Sequence, residues 1–279
     1  MLWLRCRRDK EFNTNIHKLQ TAIAFFLREP LKLTRQTLIA NAVFLAQVEQ
    51  RRNALQSVHK LGQYKRRIDC AQEQNFSKLT AGDSRSRIVA CYHFGDFIYS
   101  LNYLMCLERP GRNRILYSQH AHSSAYLSNM QRAFDGRTMA RDCQLTQDQI
   151  NATDLFRELR RGNCTLAMFC DLPGDSGEVV KVNFLGRKAR FPKGLALLAI
   201  TSRTPVLPVI ACDEQERNRL RIFNLIEPSM RLDEDLDVAC VRITQQLVDI
   251  LAELIAEHPQ QWRYLSKLPR YFSVEDFAH

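Results

Sequence analysis

Apolar residues recur at helical spacing through the first part of the chain. Between residues 14 and 62 they are separated by steps of three and four positions, which places them on one face of a helix. The turn Glu29-Pro30-Leu31 divides this region, because the residue before a proline is disfavoured in helical conformation. We therefore predict an N-terminal helical segment over residues 1–68.

From residue 87 onward, short apolar runs alternate with longer amphipathic stretches. The runs predict five strands, at Ile88–Tyr92, Arg114–Tyr117, Thr165–Cys170, Val206–Cys212 and Leu220–Leu225. The amphipathic stretches predict five helices, at Phe97–Leu107, Ser124–Phe134, Asp148–Arg160, Lys193–Thr201 and Leu236–His258. Short apolar strands are typical of a sheet buried on both faces. Residues 69–279 are therefore predicted to form an α/β domain with a mostly parallel central sheet flanked by helices.

The chain is basic, with 40 Lys and Arg against 30 Asp and Glu and a net charge of +10. Such a charge favours anionic partners: nucleic acid, an anionic membrane face or an acidic carrier protein. Basic residues beside the N-terminal amphipathic helices suit adsorption to anionic lipid. A solvated basic surface is the alternative interpretation.

The nine cysteines are odd in number and contain no Cys-x-x-Cys pair, which indicates a reduced, cytosolic compartment and supports no zinc site. No run of eighteen apolar residues occurs, so no transmembrane helix is predicted. The apolar start at Met1-Leu2-Trp3-Leu4 is too short for a signal peptide. Any membrane contact is expected to be peripheral.

Candidate chemistry is concentrated where the first predicted strand ends. His93 and Asp96 stand in the turn between this strand and the next predicted helix. Ligands of open α/β sheets bind at the carboxyl ends of strands, and a neutral imidazole is suited to take a proton near neutral pH. Two alternatives remain open: Asp96 caps the following helix, or His93 is a partly buried structural residue.

Two more strand ends carry polar groups. Residues 118–124 follow one strand and include His120 and His122, for which no third metal ligand has a supporting spacing. Asp171 follows Phe169-Cys170, where an acidic side chain is costly to bury unless it is paired. If these ends converge, an imidazole and a carboxylate share one crevice. The alternative for Asp171 is a turn residue beside Pro173-Gly174.

A basic segment precedes the helix predicted at Lys193. It places Arg187, Lys188, Arg190 and Lys193 on a predicted loop at the helix entry. A helix N-terminus with Arg and Lys favours a phosphate or a developing oxyanion. A basic surface loop is the alternative. Farther along, Trp262 is interpreted as a packing anchor.

Five segments in order resemble the lauroyl/myristoyl acyltransferase family of lipid A biosynthesis, within the lysophospholipid acyltransferases. The resemblance covers about residues 85 to 265. The similar segments are His93-Phe94-Gly95-Asp96-Phe97-Ile98, the strand and helix from Ile115 through Arg132, Asp171 with Phe184-Leu185-Gly186, Pro205-Val206-Leu207-Pro208-Val209, and His258-Pro259-Gln260-Gln261-Trp262.

This resemblance implies an acyltransferase that takes acyl groups from acyl carrier protein or coenzyme A, on the cytoplasmic face of the inner membrane. His93 would be the general base, and Arg132 resembles the family's arginine near the acyl thioester. Gly95, Arg187 and Arg190 are expected at the substrate, the arginines assisting at the oxyanion.

The chain departs from the family pattern at two points. The family's carboxylate lies five positions after its histidine, where this chain has Ile98, so Asp96 is the nearest substitute and Asp171 the second candidate. Family members usually carry an N-terminal membrane helix, which is not seen here. The second departure makes the expected membrane attachment peripheral.

The sequence thus predicts transfer of a fatty acyl group from an acyl thioester to a hydroxyl or amine of a lipid or glycan acceptor. No cofactor or metal is expected beyond the acyl thioester co-substrate. The alternative is a non-catalytic member that binds acyl lipid or acyl carrier protein. A nucleic-acid partner is not expected, because the charge comes with no recognition motif.

Overall fold

A computed structural model describes residues 34–54, 68–70, 85–97, 112–117, 144–146, 152–162, 164–174, 177–214 and 217–272. Within them a seven-stranded sheet has the order β1-β9-β8-β2-β5-β3-β4. Its strands are β1 (Ile68–Cys70), β2 (Arg87–Cys91), β3 (Arg112–Tyr117), β4 (Gln144–Thr146), β5 (Cys164–Phe169), β8 (Val206–Glu214) and β9 (Arg217–Ile222).

The middle of this sheet is parallel. β2 pairs in parallel with both β5 and β8, and β3 pairs in parallel with β5 and β4. β9 runs antiparallel to β8 at one side, and β1 is parallel to β9. The central strand β2 is buried along its whole length, as its apolar sequence predicts. The prediction of a mostly parallel α/β sheet is confirmed.

Helices flank the sheet. They are α1 (Arg35–Ala54), α2 (Ala152–Arg161), α3 (Gly194–Ser202) and α4 (Leu236–Glu257), followed by 3₁₀ helices at Pro259–Gln261 and Leu265–Tyr271. The carboxylate of Asp235 accepts a hydrogen bond from the Val238 amide at 2.7 Å and so caps α4. Among the described residues we find no helix with the length and hydropathy that a membrane crossing requires.

One local prediction is wrong. The basic segment expected as a loop is the second strand of a β-hairpin, formed by β6 (Val179–Phe184) and β7 (Arg187–Pro192). Leu185 and Gly186 both have positive φ, of 51° and 82°, as a two-residue hairpin turn requires. The alternation of apolar and polar residues over 180–184 carries the strand signal, and burial alternates in the same way.

The other predicted elements agree with the structure to different extents. α3 and α4 match their predicted bounds closely, and α1 confirms helix within the N-terminal segment. The helices predicted after Phe97 and at Ser124 lie outside the described residues. α2 begins at Ala152, four positions after the predicted start. The strand predicted to reach Leu225 ends at Ile222.

Candidate active site

The register between β2 and β5 brings a histidine and an aspartate together. Cys91 of β2 is paired with Phe169 of β5, and each strand continues for two residues to His93 and Asp171. Parallel neighbours end at the same edge of the sheet, so these residues meet there. His93 Nδ1 lies 2.8 Å from Asp171 Oδ1, and the His93 backbone N–H donates to Asp171 Oδ2 at 2.8 Å.

Asp171 is buried, with 1 % of its surface exposed. Both oxygens of its carboxylate and its backbone carbonyl accept hydrogen bonds. The indole Nε1–H of Trp262 donates to Oδ2 at 3.1 Å. The hydroxyl of Tyr271 donates to the backbone carbonyl of Asp171 at 2.5 Å. The carboxylate therefore accepts from His93 twice and from Trp262 once. Such a set of donors compensates the cost of burying an acidic group and fixes its orientation.

The imidazole of His93 is enclosed by aromatic rings and keeps 12 % of its side chain exposed. Phe169 stacks on it with ring centroids 4.0 Å apart, while Phe97 and Tyr264 meet it edge-on, each at 4.8 Å. With Asp171 accepting from Nδ1–H, the lone pair of the neutral ring lies on Nε2. The arrangement is thus that of a proton acceptor held in one tautomer against an apolar wall.

The two candidate carboxylates, Asp96 and Asp171, differ in their relation to His93. Asp96, the first choice for orienting the imidazole, is fully buried, but the carboxylate that accepts the hydrogen bond from Nδ1 is that of Asp171. The geometry thus favours Asp171, the second candidate, as the partner of His93, and the catalytic roles of both carboxylates stay predictions. The physical reason is sheet topology: β2 and β5 are neighbours in space although His93 and Asp171 are 78 residues apart in sequence.

Gly95 shapes the turn that carries His93. It has φ of +56°, and a Cβ at this position would lie 2.4 Å from the backbone oxygen of Ala211 on β8. Its N–H donates to the Gln261 carbonyl at 3.1 Å. These contacts give Gly95 a part in packing the turn against β8, and its expected contact with substrate stays a prediction.

The segment after α4 is a part of the site that sequence reasoning did not assign to it. The Arg263 amide donates to the His93 carbonyl at 2.9 Å, and Phe94 forms a β-bridge with Trp262. Trp262 is fully buried, as a packing anchor should be, but it also donates to Asp171. The only hint that the sequence offers for this contact is a general one: a buried indole usually finds an acceptor for its N–H.

The two thiols next to the site are held in the neutral form. Burial, together with the charge of Asp171, raises the pKa of Cys91 and of Cys170 far above the usual range of a thiol. Burial and the same charge raise the pKa of Tyr264 to about 12. Neither thiol therefore has the thiolate character that a nucleophilic cysteine needs.

Only some of the remaining predicted site residues lie in the part of the chain that the structure describes. Arg187 and Arg190 lie on β7. The backbone of Arg190 packs closely on Gly174, three residues after Asp171: a Cβ added to Gly174 would lie 2.9 Å from the backbone oxygen of Arg190. Arg132, His120 and His122 lie outside the described residues. In the part of the chain that the structure describes, no group of three His, Cys, Asp or Glu side chains forms a metal site.

A polar cleft of about 460 Å³ opens at the same edge of the sheet, beside the segment after α4. Arg221, one of its lining residues, forms ion pairs with Glu214, which also lines it, at 2.8 Å and with Glu257, which is not among the lining residues, at 2.7 Å. The hydrogen bond from Arg221 lowers the pKa of Glu214. The cleft is lined by Asp213, Glu214, Arg219, Arg221, His258, Gln260 and Gln261.

Comparison with known proteins supplies the family. No curated protein matches the sequence of this chain. The family model described as bacterial lipid A biosynthesis acyltransferase matches residues 51–270, which include both strands that carry His93 and Asp171 and the segment that carries Trp262. This match extends over well more than half of the 279 residues. The chain therefore belongs to the bacterial lipid A biosynthesis acyltransferase family.

Proposed function

We propose that this acyltransferase moves a fatty acyl group from an acyl thioester to a hydroxyl or amine of a lipid or glycan acceptor. Family membership supports acyl transfer in general. The observation that supports this particular reaction is the His93–Asp171 pair, in which a buried carboxylate holds Nδ1 at 2.8 Å. That contact leaves Nε2 as the ring atom that accepts a proton.

In the proposed reaction His93 Nε2 removes the proton of the acceptor O–H or N–H as the acceptor atom attacks the thioester carbonyl carbon. The new C–O or C–N bond gives a tetrahedral intermediate that carries one negative oxygen. When the C–S bond breaks, the thiolate leaves and takes the proton from the imidazolium. Asp171 keeps the imidazole in its working tautomer and stabilises the imidazolium while it exists.

Transfer is direct in this proposal, without an acyl-enzyme. A thioester already has a good leaving group, so a covalent intermediate brings no gain. The neutral state of Cys91 and Cys170 supports the same conclusion, because an effective thiol nucleophile has a lowered pKa. The single base His93 then serves both halves of the reaction.

The oxyanion and the acyl chain need their own partners. We assign the oxyanion to Arg132, with assistance from Arg187 or Arg190, since a fixed cation stabilises charge that develops in the transition state. Phe97, Phe169 and Tyr264 present apolar surface beside the imidazole, which suits the acyl chain next to the thioester carbon.

We further propose acyl carrier protein or coenzyme A as the donor and the cytoplasmic face of the inner membrane as the working place. The net charge of +10 supports an acidic carrier protein or an anionic lipid surface as partner. Attachment is then peripheral, by adsorption of basic and amphipathic segments.

The test is acyl transfer by the purified full-length protein. Acyl carrier protein and coenzyme A, each loaded with the same radiolabelled acyl chain, are incubated with total bacterial lipid, and labelled products are separated by chromatography. Product is expected with the wild type and is expected to be lost in His93→Ala, while circular dichroism shows that the variant stays folded. Full activity in His93→Ala overturns the proposal. Donor binding without turnover by the wild type would instead identify a non-catalytic acyl-binding member.

A further inference from the structure

Asn41 of α1 is a buried polar residue that contacts the segment after α4. It has 2 % of its surface exposed. Its side-chain Nδ2 donates to the Gln260 carbonyl at 2.9 Å and to the Trp262 carbonyl at 2.8 Å. An amide NH₂ has two hydrogens, so both are used on this one segment. The two bonds fix the path of the backbone from residue 260 to residue 262.

The opposite side of the same segment holds the His93–Asp171 pair. The Gln261 carbonyl accepts from the Gly95 amide at 3.1 Å, and the Arg263 amide donates to the His93 carbonyl at 2.9 Å. The Trp262 indole donates to the Asp171 carboxylate. Residues 260–263 therefore have α1 on one side and the two site residues on the other.

A second contact attaches α1 to this region. The Gln261 side chain makes two hydrogen bonds with the backbone of Asp213, at 2.8 and 2.7 Å, and Arg51 of α1 pairs with the Asp213 carboxylate at 2.7 Å. α1 is thus bound at Asn41 and again at Arg51, ten positions later. Asn41 contacts the segment that carries Trp262 directly, and Arg51 contacts it through Asp213.

From this geometry we infer that Asn41 is a positioning residue for acyl transfer, acting on His93 and Asp171 through residues 260–263. The inference rests on the proposed function of His93. Removing the amide takes its donor from the Gln260 carbonyl and leaves the Trp262 carbonyl with the longer bond from the Leu265 N–H, at 3.3 Å, so the segment shifts or fluctuates to find other donors. Because Trp262 and Arg263 move with it, the imidazole loses its exact place. Asn41 itself contacts neither substrate nor the imidazole.

The experiment compares Asn41→Ala with Ser86→Ala in the full-length chain. Ser86 is also buried and also makes a side-chain bond to the backbone, accepting from the Cys164 amide at 3.1 Å, but it lies at the amino ends of β2 and β5, away from His93. Asn41→Ala is expected to lower kcat about ten- to a hundredfold with little change in KM, the usual scale for a misplaced catalytic group. Ser86→Ala is expected to keep kcat.

A second readout reports directly on the bond between Trp262 and Asp171. The chain has two tryptophans, Trp3 and Trp262, so ¹⁵N-indole labelling gives two cross-peaks that Trp3→Phe assigns. In Asn41→Ala the Trp262 indole proton is expected to move upfield as its hydrogen bond weakens. Asn41→Asp, which keeps the shape but loses the donors, is expected to behave like Asn41→Ala.

These outcomes separate the inference from the function on which it rests. An active His93→Ala variant overturns the proposed function. An unmoved Trp262 cross-peak in Asn41→Ala, or a kcat equal to that of Ser86→Ala, overturns the positioning role alone. Recovery of both kcat and the wild-type peak position in Asn41→Asp would overturn it as well, because that side chain cannot donate both hydrogen bonds.

Discussion

The indole Nε1 of Trp262 donates at 3.1 Å to the same Asp171 oxygen, Oδ2, that accepts the backbone N–H of His93. Asp171 Oδ1 is then left for the imidazole, at 2.8 Å from Nδ1. Two donors on one oxygen restrain rotation of the carboxylate about its Cβ–Cγ bond. The plane of the carboxylate, and with it the plane of the imidazole, is therefore set by residues that come from three separate parts of the chain.

Replacing Trp262 by Phe tests this restraint. The variant keeps an aromatic ring but loses the N–H, so we expect acyl-transfer kcat/KM to fall about ten- to a hundredfold as the carboxylate loses its orientation. The lost bond to a charged group is expected to lower the free energy of unfolding by about 1.5–3 kcal/mol. Enzyme kinetics and urea denaturation measure the two effects.

Tyr271→Phe is the matched control for that substitution. It removes a donor from the backbone carbonyl of Asp171 and leaves the donors of the carboxylate in place. A neutral hydrogen bond contributes about 1 kcal/mol, so stability should fall and kcat/KM should change little. Equal losses of activity in both variants would contradict a special role for the indole.

Replacing Asp171 by Asn tests which carboxylate works with His93. Asn keeps the shape but loses the charge, so the imidazolium is no longer stabilised and the tautomer is no longer fixed. We expect kcat to fall about a hundred- to ten-thousandfold, the range of general acid–base effects. Asp96→Asn, at the other buried carboxylate, is expected to keep far more activity. The opposite order in the transfer assay would restore Asp96 as the partner.

Local patterning was sufficient to predict much of this fold. The apolar runs at β2, β5 and β8 and the apolar stripe of α4 are properties of short windows, and the structure has these elements close to the predicted bounds. The basic residues of β7 predict a surface loop although the alternation over β6 is visible, so the hairpin is not among the predicted elements.

The site was less predictable, because it depends on which strands are neighbours. His93 and Asp171 were both candidates, but only the placement of β5 beside β2 makes the second the partner of the first. Closeness in sequence alone favours Asp96. Trp262 and Asn41 reach the site through tertiary contacts, for which single-sequence periodicity holds no information.

Gly95→Ala tests the turn beneath His93. The added Cβ would meet the Ala211 oxygen at 2.4 Å, and φ of +56° is unfavourable for alanine by about 1–2 kcal/mol before any clash. We expect a larger loss of stability than that figure, together with strongly reduced transfer activity. Gly194→Ala is the control, since nothing lies within 4 Å of its added Cβ. Thermal melts in which both variants behave alike would contradict the close approach of this turn to β8.

The free energy of unfolding above pH 9 tests whether the Cys212 thiol is protected from ionisation in the folded chain. Burial raises the pKa of Cys212 from 9.0 to about 12 in the folded chain. Below pH 9 the thiol is neutral in both states. Between pH 9 and 12 only the unfolded chain loses this proton, so the unfolded chain binds fewer protons and unfolding becomes easier as pH rises. The contribution of one such group is up to about 1.4 kcal/mol per pH unit.

Cys212→Ala removes this contribution, so its free energy of unfolding should fall less steeply than that of the wild type between pH 9 and 12. Urea denaturation at several pH values measures the two slopes, and Lys and Tyr titration cancels in their difference. The variant should be less stable at pH 7, because it loses a packed sulfur atom, so the slope rather than the absolute value is decisive. Parallel curves would show that the Cys212 thiol ionises as readily in the folded chain as in the unfolded one, contrary to its burial on β8.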